Sequence, residues 1–421
     1  MTEPVAAANP FFEAWSTPDG VPPFDRIRPE HYRPAYARAL AEHDAEIAAI
    51  AADPAPPSFA NTIVALELSG RALERVANVF HLLAGADTND AILEIEREIA
   101  PQIARHWNKI ETDPALFRRI AALTDAAGAL SAEQKRVVER YHTDFRRAGA
   151  ALDPAAKARL AEIIERLAAL GTAFSQHVLA DEQAFTLRLD GEAELAGLPD
   201  FTRDALRSEA RDRGLDGYAV TLSRSSVEPF LQFSDRRDLR EKVFRGFILR
   251  GDNGGPTDNK AIIAETVRLR AERARLLGYA DFAHYRLDDA MAKTPEAARQ
   301  LLDTVWAPAR TRALADRDAM QALIGEAGGN FKLEPWDWRY YAEKLRQRSC
   351  AFDEAAIKPY LNLERIVEAA FYTARRLFGL SFIARADVPV WHPDVRVWEV
   401  RDAGGGKVGL FFGDYYARPS K

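Results

Sequence analysis

The sequence predicts a mainly α-helical protein that carries a short β-hairpin near its C-terminal end. Apolar residues recur at the helical period through most of the 421 residues. Strand-like alternation is confined to short runs near 185–222 and to a stronger pair after residue 394. Apolar side chains make up 47% of the chain, enough for a large buried core.

The first predicted elements are a pair of helices between Ser58 and Ile110. Their sequences are "SFANTIVALELSGRALERVANVFHLLAG" and "TNDAILEIEREIAPQIARHWNKI". Pro101 lies inside the second stretch, where a proline removes a backbone donor and collides with the preceding turn. We therefore expect the second helix to be bent or broken at Pro101.

A clear amphipathic helix follows in "LDPAAKARLAEIIERLAALGTAF". Asp153 is a suitable N-cap, and Pro154 occupies the first helical position, where its missing N–H costs nothing. The apolar stripe of this helix consists of Leu160, Ile163, Ile164, Leu167, Leu170 and Phe174. The pattern predicts a helix that faces the core.

Two more helices are predicted further along the chain. In "TDNKAIIAETVRLRAERARLLGYADFAHY", Thr257 precedes the periodic run and Gly278 is placed to end it. The apolar positions of this run are Ile262, Ile263, Val267, Leu269, Leu276 and Leu277. Another helix opens at "AKTPEAARQLL", where Thr294 can cap the helix and Pro295 can lead it.

The strand signals are short and localised. "AFTLRLDGEAEL" and "GYAVTLS" could pair around the intervening helix "PDFTRDALRSEARDRG". Near the end, "DVRVWEV" and "KVGLFFGDYY" flank the glycine-rich "RDAGGG", which can adopt the positive φ values of a hairpin turn. The last predicted element is therefore a β-hairpin.

Charge and cysteine content narrow the class of protein. The chain has 57 basic and 63 acidic side chains, a net charge of −6, so nucleic acid and anionic membranes are poor partners. A single cysteine, Cys350, excludes an intramolecular disulfide and a thiolate metal cluster and fits a reducing compartment. No secretory signal pattern opens the sequence, and we expect a cytoplasmic protein.

The common catalytic motifs are missing from the sequence. No two of the eight histidines are four residues apart, so there is no His-Glu-x-x-His zinc helix. "GGGKVG" lacks the Ser or Thr of a phosphate loop, and no Gly-x-Ser-x-Gly elbow occurs. Cys350 is either a reactive thiol or a small side chain packed in the core. His392 is either a catalytic residue or an imidazole that makes a local hydrogen bond.

Longer stretches resemble the thimet oligopeptidase family of zinc metallopeptidases, most of all its bacterial peptidyl-dipeptidase branch, also called dipeptidyl carboxypeptidase. The resemblance begins at "NPFFEAW" and "PPFDRIRPEHYRPAYARAL" and includes "LLGYADFAHYRLDDAMAKTP". It continues through "PWDWRYYAEKLR", "HPDVRVWEV" and "GLFFGDYYARPSK". The matching stretches occur in the family's order over essentially the whole chain.

The resemblance implies one helical half of a two-lobed, channel-type metallopeptidase. Three regions are expected: an N-terminal helical region over 1–150, a second helical region over 151–380 with a short hairpin near 185–222, and the start of the active-site sheet over 381–421. The two lobes of family members are interwoven, so these boundaries follow the resemblance and not a linker.

The resemblance also implies a zinc enzyme that releases C-terminal dipeptides from short peptides. Its zinc motif would lie beyond Lys421, so we expect a truncated, catalytically incomplete chain with no catalytic or metal residue and no zinc of its own. It leaves open whether this chain alone is an enzyme. The implied partners are short peptides and the missing C-terminal part of the same enzyme, without nucleic acid or membrane.

Two other interpretations remain open. The chain could be a stand-alone peptide-binding or partner-binding protein derived from a peptidase, which requires a polar surface and a protected edge on its last hairpin. It could also be a complete enzyme with another mechanism, which requires a catalytic cluster that the motifs do not supply. An exposed apolar face would favour the incomplete peptidase over both.

Six residues are candidates for the wall of a substrate cleft: Trp336, Asp337, Tyr340, Asp414, Tyr415 and Arg418. The aromatic residues could line the wall, and the resemblance places Asp414 and Arg418 where the family sheet approaches substrate. For Asp337 the alternative is a helix cap, and for Arg418 a structural ion pair.

Overall fold

The computed structural model describes residues 9–125, 128, 130–350, 354–418 and 420–421. The first half contains helices α1 Tyr32–Ala52, α2 Ala65–Leu68, α3 Arg71–Ala86, α4 Asp90–Glu111, α5 Pro114–Asp125, α6 Ala132–Ala148, α7 Pro154–Ala184 and α8 Asp200–Asp212. The second half contains α9 Arg224–Phe233, α10 Arg237–Ile248, α11 Lys260–Leu276, α12 Phe282–Leu287, α13 Pro295–Glu326, α14 Trp338–Cys350, α15 Glu354–Ile357 and α16 Leu363–Phe378. The strands are β1 Leu187–Leu189, β2 Tyr218–Val220, β3 Ser381–Arg385, β4 Arg396–Arg401 and β5 Lys407–Gly413. The mainly α fold class is confirmed.

The N-terminal core is formed by α1, α3 and α4. The Asn89 side chain caps α4 by accepting a hydrogen bond from the backbone N–H of Ile92. Ile92, Ile95 and Ile99 then recur on one face and are buried against α1 and α3. The helix runs from residue 90 to 111 through Pro101, so of the two outcomes expected there, a bend or a break, the break is wrong. Packing on both sides of Pro101 outweighs the one backbone hydrogen bond that proline removes.

The predicted first helix of this pair is interrupted. Residues 59–64 form a π-helical turn that Ser58 caps, and α2 follows it directly. Gly70, at φ +71°, then separates α2 from α3. A second core lies between the ends of α1 and α4 and the helices α5 and α6.

Helix α7 joins the N-terminal bundle to the middle of the chain. The Asp153 carboxylate accepts from Ala156 N–H and Pro154 leads the helix, as predicted. α7 packs along α4, where Arg105 pairs with Glu165, and along α11, where Leu170 and Leu269 are buried together. The helix is therefore covered on two sides and open on a third.

Strands β1 and β2 form a small antiparallel sheet, with Leu187 opposite Val220. Helix α8 connects them, and α9 and α10 pack on the same core. The pairing predicted for these two runs is confirmed.

Strands β3, β4 and β5 form the second sheet, in that order and antiparallel. The predicted hairpin is β4 and β5, and its turn contains Gly405 at φ +82° and the Asp402 carboxylate, which accepts from Gly404 and Gly406 N–H. Helix α16 packs on this sheet through Phe371, whose ring stacks on Phe382 at 3.9 Å.

The second sheet is tied to the beginning of the chain. Thr88 N–H donates to the carbonyl of Ser420 at 2.8 Å, and Phe24 lies 5.3 Å from Trp391, ring to ring. Across the described ranges, no helix is both long enough and apolar enough to cross a membrane.

Candidate functional site

Asp337 is a buried charge that binds two arginines. It ends the short 3-10 turn before α14 and is 0% exposed. Its Oδ2 atom accepts from Arg237 Nη2 at 2.9 Å and its Oδ1 atom from Arg240 Nη2 at 2.8 Å. It also accepts from Glu334 N–H, which caps the turn. Asp337 stands directly before α14, as the capping alternative requires, but its carboxylate caps the preceding 3-10 turn and not α14 itself, and it presents no surface to a ligand.

Trp336 and Tyr340 flank the same arginines. The Tyr340 hydroxyl donates to Asp235 at 2.7 Å, and Arg240 lies 4.2 Å above its ring. Burial, followed by the hydrogen bond to Asp235, raises the pKa of Tyr340, which stays a protonated donor at neutral pH. Trp336 is half-buried beneath Arg245, and its indole N–H has no hydrogen-bond partner among the described residues. The indole nitrogen is itself buried, so a ligand can reach part of the Trp336 ring but not this donor.

Asp414 and Arg418 form a second, separate group. Arg418 donates to both oxygens of Asp414 at 2.7 Å, and the indole N–H of Trp391 donates to Oδ2 at 3.2 Å. The Arg418 hydrogen bond is the largest reason that the pKa of Asp414 lies far below its usual value. Arg418 also donates to the carbonyl of Ala86 at 2.6 Å. The pair thus ties the end of the second sheet to the end of α3, in agreement with the structural ion pair.

Tyr415 is exposed beside this ion pair. It keeps 38% of its surface accessible, and its ring covers the backbone of Gly413, where a Cβ would lie 2.5 Å from the ring. Partial burial raises the pKa of its hydroxyl. Of the second group, this aromatic ring is the part that a ligand can reach.

The six sequence-predicted residues therefore lie in two groups with different partners. Trp336, Asp337 and Tyr340 contact α10 and the turn before it, whereas Asp414 and Arg418 contact Trp391 and the end of α3. Among the residues that the structure describes, no three His, Cys, Asp or Glu side chains are placed to hold a metal ion. A resident zinc thus has no fitting ligand set in the described ranges.

A groove between α7, α11 and α12 was not anticipated from the sequence. Its cavity has a volume of about 790 Å³ and is lined by apolar side chains of α7 and α11 together with three arginines. Ile263 and Val267, two of the apolar positions of the predicted helix, are 48% and 60% exposed and line it. The helical periodicity of the sequence identified the apolar face of α11. It could not show whether another element covers that face.

Large apolar side chains are also exposed along α13 and α16. On α13 they are Leu301, Leu302, Val305 and Trp306, each more than half exposed. On α16 they are Tyr372, Leu377 and Phe378, exposed by 55%, 68% and 71%. Apolar surface on this scale is typical of an interface with another polypeptide.

Comparison with known proteins gives a consistent family. Residues 230–421 match the model of peptidase family M3. The chain is 39% identical to dipeptidyl carboxypeptidase of Escherichia coli K12 over 98% of its own length, and 30% identical to oligopeptidase A of Salmonella typhimurium over 98%. It is 28% identical to a probable cytosolic oligopeptidase A of Arabidopsis thaliana over 100%.

The chain spans 61% of the length of each of these three relatives. The similarity nevertheless runs through both halves of the chain and extends well upstream of the segment that matches the family model. These matches confirm the resemblance to the thimet oligopeptidases: residues 230–421 match peptidase family M3, and nearly the whole chain is similar to dipeptidyl carboxypeptidase and oligopeptidase A.

Proposed function

We propose that this chain is part of a zinc-dependent peptidyl-dipeptidase that, as a whole enzyme, releases C-terminal dipeptides from short peptides. The observation that carries the proposal is the 39% identity to a dipeptidyl carboxypeptidase over 98% of the chain. Identity to an oligopeptidase A over a similar span is 30%, which favours dipeptide release over internal cleavage.

We further propose that these 421 residues alone do not hydrolyse peptides. The sequence has no His-Glu-x-x-His, and the described residues provide no metal-binding group. In the whole enzyme, zinc would polarise the scissile carbonyl, with its ligands in polypeptide outside these 421 residues. That polypeptide is also the proposed partner for the exposed faces of α13 and α16.

The role of this chain in the proposal is to form a wall of the peptide channel. Tyr415 offers an exposed aromatic ring and Trp336 a half-buried one, against which a peptide can pack. Asp337, Asp414 and Arg418 would act as positioning residues that hold the turns carrying these rings. Balanced charge and the single cysteine support short peptides as ligands in a reducing, cytoplasmic setting, without nucleic acid or membrane.

The exposed edge of the second sheet supports this proposal over a stand-alone binding protein. β5 is an edge strand of the sheet, and Val408 on it is 60% exposed. A self-sufficient protein would be expected to protect such an edge with charge, proline or a covering element.

The first experiment is hydrolysis of a blocked short peptide by the purified 421-residue chain in the presence of zinc, with metal content measured on the same sample. We expect neither turnover nor stoichiometric zinc. Turnover with one zinc per chain would refute catalytic incompleteness and point to a metal centre built from other ligands.

A fusion of this chain to the remaining portion of the E. coli dipeptidyl carboxypeptidase tests the activity of the whole. We expect the folded fusion to release dipeptides from the C-terminus of short peptides, as detected by mass spectrometry. Internal cleavage without dipeptide release would replace the peptidyl-dipeptidase assignment with an oligopeptidase. Trp336→Ala in this fusion should raise KM at least threefold, and an unchanged KM would remove Trp336 from the wall.

A further inference from the structure

The groove between α7, α11 and α12 has an apolar floor. Leu167, Leu170 and Phe174 recur at helical spacing along α7, and Ile262 and Val267 face them from α11. At about 790 Å³ the cavity is within the range of sites that hold small ligands. The floor can therefore accept several apolar side chains at once.

The groove stays open because one position in its floor has no side chain. Gly171 lies on α7 between Leu170 and Phe174, and a Cβ built on it meets no heavy atom within 4 Å. Its backbone is helical, so a larger residue there would project into the cavity without backbone strain. Gly171 is thus a place where the cavity can be filled with little disturbance of the fold.

The rim of the groove is rich in donors and poor in acceptors. Arg270, Arg273 and Arg286 line it, and no Asp, Glu, Asn or Gln is found among its described lining residues. None of the three has a carboxylate of the described chain within 4.0 Å, although Glu111 is near enough to Arg273 to interact electrostatically. Each guanidinium offers five N–H donors and no acceptor.

Aromatic rings hold two of these arginines in place. Arg270 lies 5.1 Å above the ring of Phe282, and Arg273 lies 5.1 Å above that of Tyr285 and donates to its hydroxyl at 3.0 Å. The nearby acid Asp288 is already bound by Arg147 and Tyr279. The arginines are therefore positioned and leave donors for a ligand.

We propose that this groove binds an extended apolar peptide with a free C-terminal carboxylate, held by Arg270, Arg273 and Arg286. The inference rests on the proposed function, which brings such peptides to the molecule. A peptide provides one carboxylate and several carbonyl acceptors for the three guanidinium groups, whereas an acyl chain would use one of them. The open side of the groove leaves the other backbone groups of the peptide in water.

The direct test is calorimetric titration of the 421-residue chain with an N-acetylated apolar tetrapeptide, compared with its C-terminal amide. We expect the free acid to bind at least tenfold more tightly at low salt, with the difference shrinking as salt is added. Equal affinity of acid and amide would overturn the proposal.

Substitutions locate the site. Arg270→Gln with Arg286→Gln should reduce binding of the acid to the level of the amide, and both side chains are exposed, so the fold should be retained. Gly171→Leu should weaken both peptides at least tenfold. Gly325→Leu is the matched control, since Gly325 is helical and exposed on α13 and a Cβ there also meets open space. Equal effects of the two glycine substitutions would place binding elsewhere.

Two further readouts separate this inference from the proposed function. Mass spectrometry of the titrated peptide reports whether it is hydrolysed. If the peptide stays intact and the free acid binds more tightly than the amide, both proposals are supported. If the peptide is cleaved, the chain is not catalytically incomplete, but the difference in affinity between acid and amide still supports the groove as the binding site. If neither peptide binds, the proposal that the groove binds peptides is overturned, and the proposed function is unaffected. Dodecanoate serves as an alternative ligand. If dodecanoate binds, Gly171→Leu abolishes that binding and neither peptide binds, the groove is a site for an acyl chain and the peptide proposal is rejected.

Discussion

At the scale of single residues, the pairing of Asp337 with Arg240 is the most deeply buried charge contact described. Their side chains are 0% and 2% exposed, and Arg237 adds a second contact to the same carboxylate. Removing one partner of a buried pair leaves the other charge without compensation, which is far more costly than losing the attraction alone. This carboxylate is therefore expected to matter for stability irrespective of any ligand.

We expect Asp337→Asn to lower the free energy of unfolding by about 3 kcal/mol, measured by guanidinium denaturation. The control is Asp204→Asn, which breaks the surface pair with Arg207 where the acid is 72% exposed, and should cost less than about 1 kcal/mol. Losses of similar size in the two variants would contradict the buried-pair interpretation.

The histidine pair His43 and His106 predicts a dependence of stability on pH. Nε2 of His106 and Nδ1 of His43 are 2.9 Å apart, and both side chains are buried. Burial is the largest reason that the pKa of each lies below 6.5, and for His106 the neighbouring His43 lowers it further. Asp44, Glu46 and Lys109 modify these values without reversing them.

The two imidazoles bind protons more readily in the unfolded chain than in the folded one. The neutral histidine pair therefore contributes its full stability above about pH 6.5, and this contribution is lost as the pH falls through the lower pKa values of the folded state. We expect the midpoint of urea unfolding to fall between pH 7 and pH 5. His106→Gln should reduce this slope, while His81→Gln, at an exposed position, should leave it unchanged. An equal slope in all three proteins would exclude the pair as its source.

At the scale of elements, the turn between α2 and α3 depends on a glycine for two reasons. Gly70 has φ +71°, and a Cβ there would lie 2.9 Å from the imidazole of His43. Gly20 has a similar φ of +67°, but a Cβ there meets open space. The two positions therefore separate backbone strain from steric conflict.

We expect Gly20→Ala to cost about 1 kcal/mol of unfolding free energy, the usual penalty for a left-handed alanine. Gly70→Ala should cost at least about 1 kcal/mol more, since the buried imidazole must move as well. Thermal and chemical unfolding of both variants measure the difference. If the two alanines cost the same, the contact with His43 is soft and the turn is held by φ alone.

Local signals in the sequence predicted helix ends better than helix partners. Asp153 and Thr294 cap their helices as expected, and Gly278 at φ +82° follows α11. These signals work because a cap is decided by a few neighbouring atoms. Local alternation did not identify strand β3, although the resemblance placed the start of a sheet at residue 381, since five residues without strict alternation become a strand only when β4 lies beside them. Continuity of α4 through Pro101 likewise depends on packing that sequence spacing does not reveal.

For the candidate site residues, too, local contacts could be predicted from the sequence and distant partners could not. The ion pair left open for Arg418 follows from local chemistry and agrees with the structure, whereas Asp337 caps the turn before α14 instead of the helix. The arginine partners Arg237 and Arg240 lie about a hundred positions from Asp337 along the chain, so the sequence could not associate them. For the same reason, the groove over Gly171 required the folded positions of α7 and α11.

At the scale of the whole molecule, apolar surface is distributed unevenly. The N-terminal bundle buries most of its apolar side chains in two cores, whereas residues 299–313 of α13 are all exposed. A helix with exposed apolar residues gains little stability from tertiary packing and usually acquires it from a partner. In the absence of such a partner, two copies of this chain can cover each other's exposed faces.

We therefore expect the purified chain to self-associate in a concentration-dependent manner, measurable by sedimentation velocity. Leu302→Gln with Trp306→Gln removes two side chains that are 68% and 66% exposed and lie one turn apart on α13. Because neither is buried in the single chain, the unfolding free energy should change by less than about 0.5 kcal/mol per site, while the associated fraction should fall at least threefold.

Ala309→Gln, at another exposed position of α13, is the control for a general effect of surface glutamines and should leave association unchanged. A chain that stays monomeric at high concentration would show that exposed apolar surface on α13 does not drive association. If instead the double variant unfolds, the side chains of Leu302 and Trp306 contribute to the fold of the single chain. The first half of α13 is then not a free interface. Reduced association with unchanged stability would identify this face of α13 as an interface between copies of the chain.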